Sequence, residues 1–162
     1  FDPMIEAFSA DFAVLTYDLY GHGESAPPPR TATLALYAEQ VAGLLDAAGV
    51  ERAALVGFSI GGMINRRFAL DFPERLSALA ILNSPHDRGE AGQIMVEDRA
   101  AKVREQGTMS TLPDALVRWF TPAFLANHPG TVRDINTLLG GDREDGIDGL
   151  ILLDCRASHY LE

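Results

Sequence analysis

Three short apolar runs, at residues 12–17, 53–58 and 79–82, punctuate the first half of the chain, each followed by a turn or loop signal. Their apolarity is continuous rather than alternating, the pattern of strands in a parallel sheet covered on both faces. Between the first two runs, Leu34, Tyr37, Ala38, Val41, Leu44, Leu45 and Ala48 recur at spacings of three and four. That spacing predicts one amphipathic helix, and Gly49 stands where its C-terminal cap belongs. Residues 60–72 carry a second helical pattern, which Pro73 stops. The order strand, helix, strand, helix, strand predicts an α/β fold with parallel strands and right-handed crossovers.

After Pro85 the pattern changes, and from about residue 90 to residue 162 it is mainly helical. One helix is predicted to start at Pro113, a residue suited to a first turn, with Leu116, Val117 and Phe120 on one side. Another is predicted over 130–139. The strand-like run at 150–153 sits inside a longer helical stretch and reads as helix. Residues 1–88 are thus expected to form a sheet core, and 89–162 a helical cap over the sheet's C-terminal edge within the same domain.

A chain of 162 residues is long enough for one domain and one core. Hydrophobic residues make up 47% and charged residues 22%, ordinary for a soluble protein. No run approaches the ~20 apolar residues of a membrane span. The first residues include Asp2 and Glu6 and lack the basic, then apolar, order of a signal peptide, and the lone Cys155 makes a reducing compartment, the cytoplasm, the expectation. A net charge of −10 argues against nucleic acid as a partner but leaves a small-molecule substrate open. Cys155 is the single cysteine, which rules out a disulfide within the chain. Its apolar neighbours favour packing over chemistry.

The chemistry is concentrated at Gly57-Phe58-Ser59-Ile60-Gly61-Gly62, a G-x-S-x-G motif placed where the strand 53–58 ends and the helix 60–72 begins. A serine on such a sharp strand-to-helix turn is held with strained dihedrals and an exposed hydroxyl, the setting of a nucleophile. Gly57 and Gly61 are expected to be required because a Cβ would collide with the turned backbone or the neighbouring strand. The Ile60 amide, at the helix start, has no intrahelical partner and can donate to an oxyanion. The plain alternative, a glycine-rich turn with an incidental serine, does not account for strand, turn and helix all in register. A phosphate-binding loop fails for want of a terminal Lys-Ser or Lys-Thr, and no G-x-G-x-x-G is present at this turn.

The stretch Tyr17-Asp18-Leu19-Tyr20-Gly21-His22-Gly23-Glu24-Ser25 resembles the D-x-x-G-x-G-x-S loop of α/β-hydrolases. Leu55-Val56-Gly57-Phe58-Ser59-Ile60-Gly61-Gly62-Met63 resembles their nucleophile elbow, and Phe72-Pro73-Glu74-Arg75-Leu76 and Leu82-Asn83-Ser84-Pro85 their next helix end and strand. Within that family the chain is similar to 3-oxoadipate enol-lactonases and their non-haem haloperoxidase and esterase relatives. Arg118-Trp119-Phe120-Thr121-Pro122-Ala123-Phe124, His128-Pro129 and Cys155-Arg156-Ala157 carry the likeness in the cap.

The resemblance implies a cofactor-free serine hydrolase of small esters or lactones, with Ser59 as nucleophile and Ile60 as an oxyanion donor. It also implies a second oxyanion donor before residue 1, and a triad acid and histidine after residue 162. Inside the chain, Asp87 holds a position where some relatives place their acid. His159 sits in a helical stretch, which suits a triad base poorly. His22 fits a structural or substrate-lining role better than that of a base, and His86 and His128 read as loop histidines. Trp119 is either a pocket wall or a core aromatic. Two other readings stay open: a binding module without catalysis, and a cofactor-free haloperoxidase or C–C hydrolase using the same serine.

Overall fold

The computed structural model describes residues 2–130. Helix α1 (Asp2–Phe8) is followed by a long loop and by α2 (Leu34–Ala47), β1 (Ala53–Phe58), α3 (Ile60–Asp71), β2 (Leu76–Leu82), α4 (Gly89–Gln106), α5 (Leu112–Trp119) and α6 (Pro122–Asn127). Short 3-10 turns at Pro73–Arg75 and Thr108–Thr111 join α3 to β2 and α4 to α5. The helix expected at 130–139, beyond its first residue, and the stretch 149–161, with Cys155 and His159, lie outside the described residues.

Strands β1 and β2 pair in parallel, in a register that sets Leu55 beside Leu79, Gly57 beside Ile81 and Phe58 beside Leu82. α3 forms the crossover between them. β2 starts at Leu76, three residues before the apolar run at 79–82, because Leu76 already pairs with Ala53 and, past a register shift at Ser77, Ala78 pairs with Ala54. Weak strand formers at those two positions hid the true start.

Helix α2 shows why local sequence suffices where capping chemistry is complete. Thr33 accepts a hydrogen bond from the Leu36 amide at 3.1 Å, closing the N-terminus. At the other end Gly49 adopts φ 66; its amide reaches the Asp46 carbonyl and the Val50 amide reaches that of Leu45, a Schellman closure. The buried side runs through Leu34, Tyr37, Ala38, Val41 and Leu45 as the periodicity predicts, and also takes in Leu36 and Ala42. Leu44 is half-buried and Ala48 exposed.

The core lies between α2, α3 and one face of the sheet. Tyr37, Ile64 and Phe68 are fully enclosed, Met63 and Leu45 nearly so, with Leu19, Tyr20, Leu55 and Phe72 packed around them. Burial pushes the Tyr37 phenol up to about 12 from 10.0. Because its folded value is raised, the neutral phenol stabilises the fold fully below about pH 10, and that contribution is lost as pH rises through 12. The melting temperature is therefore expected to fall between about pH 10 and pH 12. In Tyr37→Phe, relative to its own value at pH 8, that fall is expected to be smaller.

Two expectations are corrected. Residues 12–17 form no strand: the sheet of the described residues has two strands, and Phe12 (65% exposed) and Leu15 (55%) are largely uncovered. A strand needs a neighbour to take its backbone donors and acceptors, and this run has no such ladder. The sheet is also covered on one face only. Leu55, Gly57 and Ile81 face the helices, while Val56 and Phe58 are 55% and 58% exposed, because no described element packs on their side.

Candidate active site at the β1–α3 turn

Ser59 joins β1 to α3 with φ 53 and ψ −115, a conformation that a residue with a Cβ seldom adopts. Its amide donates to the Leu82 carbonyl at 2.9 Å, and its own carbonyl accepts from Gly62 (3.1 Å) and Met63 (3.3 Å). The turn is thereby tied to β2 on one side and to the first turn of α3 on the other, and Ser59 itself is exposed. Ile60 is the first residue of α3, where an amide has no intrahelical carbonyl to reach. An exposed hydroxyl beside a helix-start amide can attack a carbonyl carbon and have the resulting oxyanion held.

The glycines around Ser59 differ in why they are there. A Cβ on Gly57 would stand 2.4 Å from the Gly61 carbonyl oxygen and 2.6 Å from the Asn65 side chain. A Cβ on Gly61 would meet nothing within 4 Å, so the collision expected there does not occur. The second close approach is one residue on: a Cβ at Gly62 would stand 2.6 Å from Ser84 Cβ and 2.9 Å from Ile81 Cγ2. It is Gly62 that lets α3 lie close on the end of β2.

The loop at 18–25 is organised by Asp18. Its carboxylate accepts from the Glu24 amide at 3.2 Å, and its carbonyl accepts from Ser25 Oγ (2.7 Å) and Gln40 Nε2 (3.1 Å). Gly23, at φ 51, has no room for a Cβ because the Asp18 carboxylate occupies that space. Here the spacing D-x-x-G-x-G-x-S is explained by one carboxylate and the turn that wraps it. His22, half-buried in this loop, donates from Nδ1 to the Tyr20 carbonyl at 3.2 Å.

The other singled-out residues are not gathered at Ser59 by any described contact. Asp87 accepts from the Gly89 amide at 2.8 Å and so serves the entry into α4. Trp119 ends α5, is 54% exposed, and sits on a helix packed against the 3-10 turn at Thr108–Thr111. His86 is exposed, and so is His128, which donates from Nδ1 to the Phe124 carbonyl at 3.0 Å. Among the described residues, no group of three His, Cys, Asp or Glu side chains could hold a metal, and no helix is long and apolar enough to cross a membrane. A shallow hollow of about 470 Å³ lies at the other end of β1, beside Val50, Glu51 and Arg75. Arg75 is already committed there to Asp46 at 2.7 Å and to the backbone carbonyls of Val50 and Glu51.

Residues 1–133 match the profile of the alpha/beta hydrolase fold family. The chain belongs to that family. It is 32% identical over 142 residues to 3-oxoadipate enol-lactonase 2 of Acinetobacter baylyi, a match covering 88% of this chain and 52% of that protein. Among solved structures, a hydrolase from Pseudomonas aeruginosa PA01 superposes with a TM-score of 0.76 at 35% identity, over 91% of this chain and 56% of that one. The enol-lactonase from Burkholderia xenovorans LB400 superposes with a TM-score of 0.75 at 28% identity, again over 91% and 56%. The chain spans about half the length of the relatives it matches. The β1–α3 turn carries a G-x-S-x-G sequence at a strand-to-helix junction, which resembles the nucleophile elbow of that family.

Two side chains at the β1–α3 turn of this α/β-hydrolase were not singled out by sequence reasoning. Arg66 donates to the Ser84 carbonyl (2.7 Å), Ser84 Oγ (3.3 Å) and the Pro85 carbonyl (2.8 Å), fastening the segment after β2 to α3. Asn65 is buried at 6% exposure directly over Gly57. In the sequence Asn65, Arg66 and Arg67 read as one polar turn of the helix, and only the fold reveals what the first two meet.

Proposed function

We propose that the protein is a serine hydrolase of small carboxylic esters or lactones, acting through an acyl-enzyme on Ser59. The observation that carries this is the backbone of Ser59: an exposed serine held at φ 53 and ψ −115, between a strand end and a helix start, in a G-x-S-x-G motif. Strain of this kind persists where surrounding contacts over-determine it, and it collects at functional positions. The enol-lactonase relatives support the choice of ester or lactone over other carbonyl substrates.

In the proposed reaction Ser59 Oγ attacks the carbonyl carbon while a histidine takes its proton. The Ile60 amide and one upstream amide donate to the oxyanion. Collapse of the tetrahedral intermediate breaks the bond to the leaving oxygen, which receives the proton from the histidine. Water, deprotonated by the same histidine, then attacks the acyl-enzyme and releases the acid and Ser59. The histidine and its acid are proposed to lie beyond residue 162, as the resemblance implies. His22, with its Nδ1 committed to Tyr20, is proposed to line the substrate site rather than act as the base.

Trapping the intermediate tests the reading. Mixing the full-length protein with an excess of a p-nitrophenyl ester and quenching early is expected to give a burst of p-nitrophenol. One acyl increment by intact mass should map to the peptide that contains Ser59. Turnover of the ester with no adduct on that peptide would contradict the acyl-enzyme.

A further inference from the structure

Helix α3 buries one polar side chain among its apolar ones. Asn65 is 6% exposed, buried along with Met63, Ile64 and Phe68 of the same helix. Asparagine is a poor helix former, and a buried carboxamide is costly unless both its ends are satisfied. Oriented so that its oxygen meets a donor and its nitrogen an acceptor, the Asn65 carboxamide satisfies both ends. Oδ1 accepts from the Gly57 amide at 3.1 Å, and Nδ2 donates to the Gly61 carbonyl at 3.3 Å. These partners lie two residues before and two residues after Ser59. The carboxamide occupies the space that Gly57 leaves by having no side chain, where a Cβ would come within 2.6 Å of the carboxamide.

We propose that Asn65 is a positioning residue for Ser59, a staple from the strand end to the helix start that holds the elbow in its strained form. The proposal rests on reading Ser59 as the nucleophile. The Leu82 carbonyl holds the Ser59 amide from the β2 side at 2.9 Å, and Asn65 holds the residues flanking Ser59 from the α3 side. An apolar side chain of the same size would fill the volume and leave Gly57 and Gly61 free to relax toward ordinary dihedrals. That relaxation would turn Oγ and the Ile60 amide away from each other, and reacting groups displaced by about 1 Å lose rate on the order of 100-fold. Because Asn65 is buried, substrate does not touch it, and its removal acts on kcat rather than on KM.

Steady-state hydrolysis of p-nitrophenyl esters by the full-length protein, with melting temperatures in parallel, tests the staple. Asn65→Leu keeps the volume and removes both hydrogen bonds; Asn65→Ala is the second variant should the first fail to fold. Expected is a kcat lower by about 10- to 100-fold with KM within about threefold, in a variant that still melts cooperatively. A purely structural role would lower the melting temperature and leave kcat of the folded fraction alone. A folded Asn65→Leu with kcat within twofold of wild type, or with its loss in KM alone, would overturn the proposal while leaving Ser59 in place. A wild-type protein inert toward all the esters would instead sink the nucleophile reading, and the staple's role with it.

Discussion

Gly57→Ala is expected to cost about 3 kcal/mol of stability, at the upper end of overpacking penalties, and to abolish activity in whatever fraction stays folded. The new Cβ would lie 2.4 Å from the Gly61 carbonyl oxygen and 2.5 Å from its carbonyl carbon, both backbone atoms that no rotamer change can move. The third neighbour, the Asn65 carboxamide at 2.6 Å, is itself packed inside the protein. Relief requires the strand end and the first turn of α3 to separate, which is the geometry that holds Ser59. Gly61→Ala is the matched control. Its Cβ meets nothing within 4 Å, and alanine favours a helix over glycine by up to about 1 kcal/mol, so stability should hold or rise. Urea melts of the two variants separate these cases. Equal destabilisation at both positions would show that the close approach at Gly57 is misjudged.

How much of this was legible beforehand depended on whether the deciding interaction is local. Helix α2 could be read to its ends, since its stripe, Thr33 cap and Gly49 closure are all within the segment. The stop at Pro73 and the placement of Ser59 between strand and helix were legible for the same reason. Residues 12–17 show the opposite case. Their composition suits a strand, yet a strand exists only with a paired neighbour, and none pairs with them among the described residues. The early start of β2 at Leu76 was hidden likewise, being set by its register against Ala53.

At the site, the motif located the serine but not the contacts that hold it. The second position that excludes a side chain is Gly62 rather than Gly61, because it is Gly62 that faces Ser84 and Ile81 on β2 and the loop after it. Asn65 and Arg66, each of which grips backbone on another element, look in the sequence like an ordinary polar turn of an amphipathic helix. Long-range packing assigns their work. The Asp18 loop falls between these cases: its spacing was recognisable, and the carboxylate under Gly23 supplies the reason.

Ser59→Ala is expected to have the largest effect of any substitution on catalysis and almost none on folding. Loss of a nucleophile of this kind lowers kcat on the order of a million-fold, to the residual rate that binding and oxyanion donors provide. The exposed Oγ makes no hydrogen bond within the described residues that alanine would forfeit, and the backbone bonds of residue 59 to Leu82, Gly62 and Met63 do not involve the side chain. The most direct test is fluorophosphonate labelling of the full-length protein, with and without Ser59→Ala, read by intact mass and by mapping the modified peptide. One adduct on the Ser59 peptide, absent from a Ser59→Ala variant that melts as wild type does, is the predicted result. An adduct on another residue, undiminished labelling of Ser59→Ala, or a folded wild-type protein that takes no label would contradict the assignment of Ser59 as an activated nucleophile.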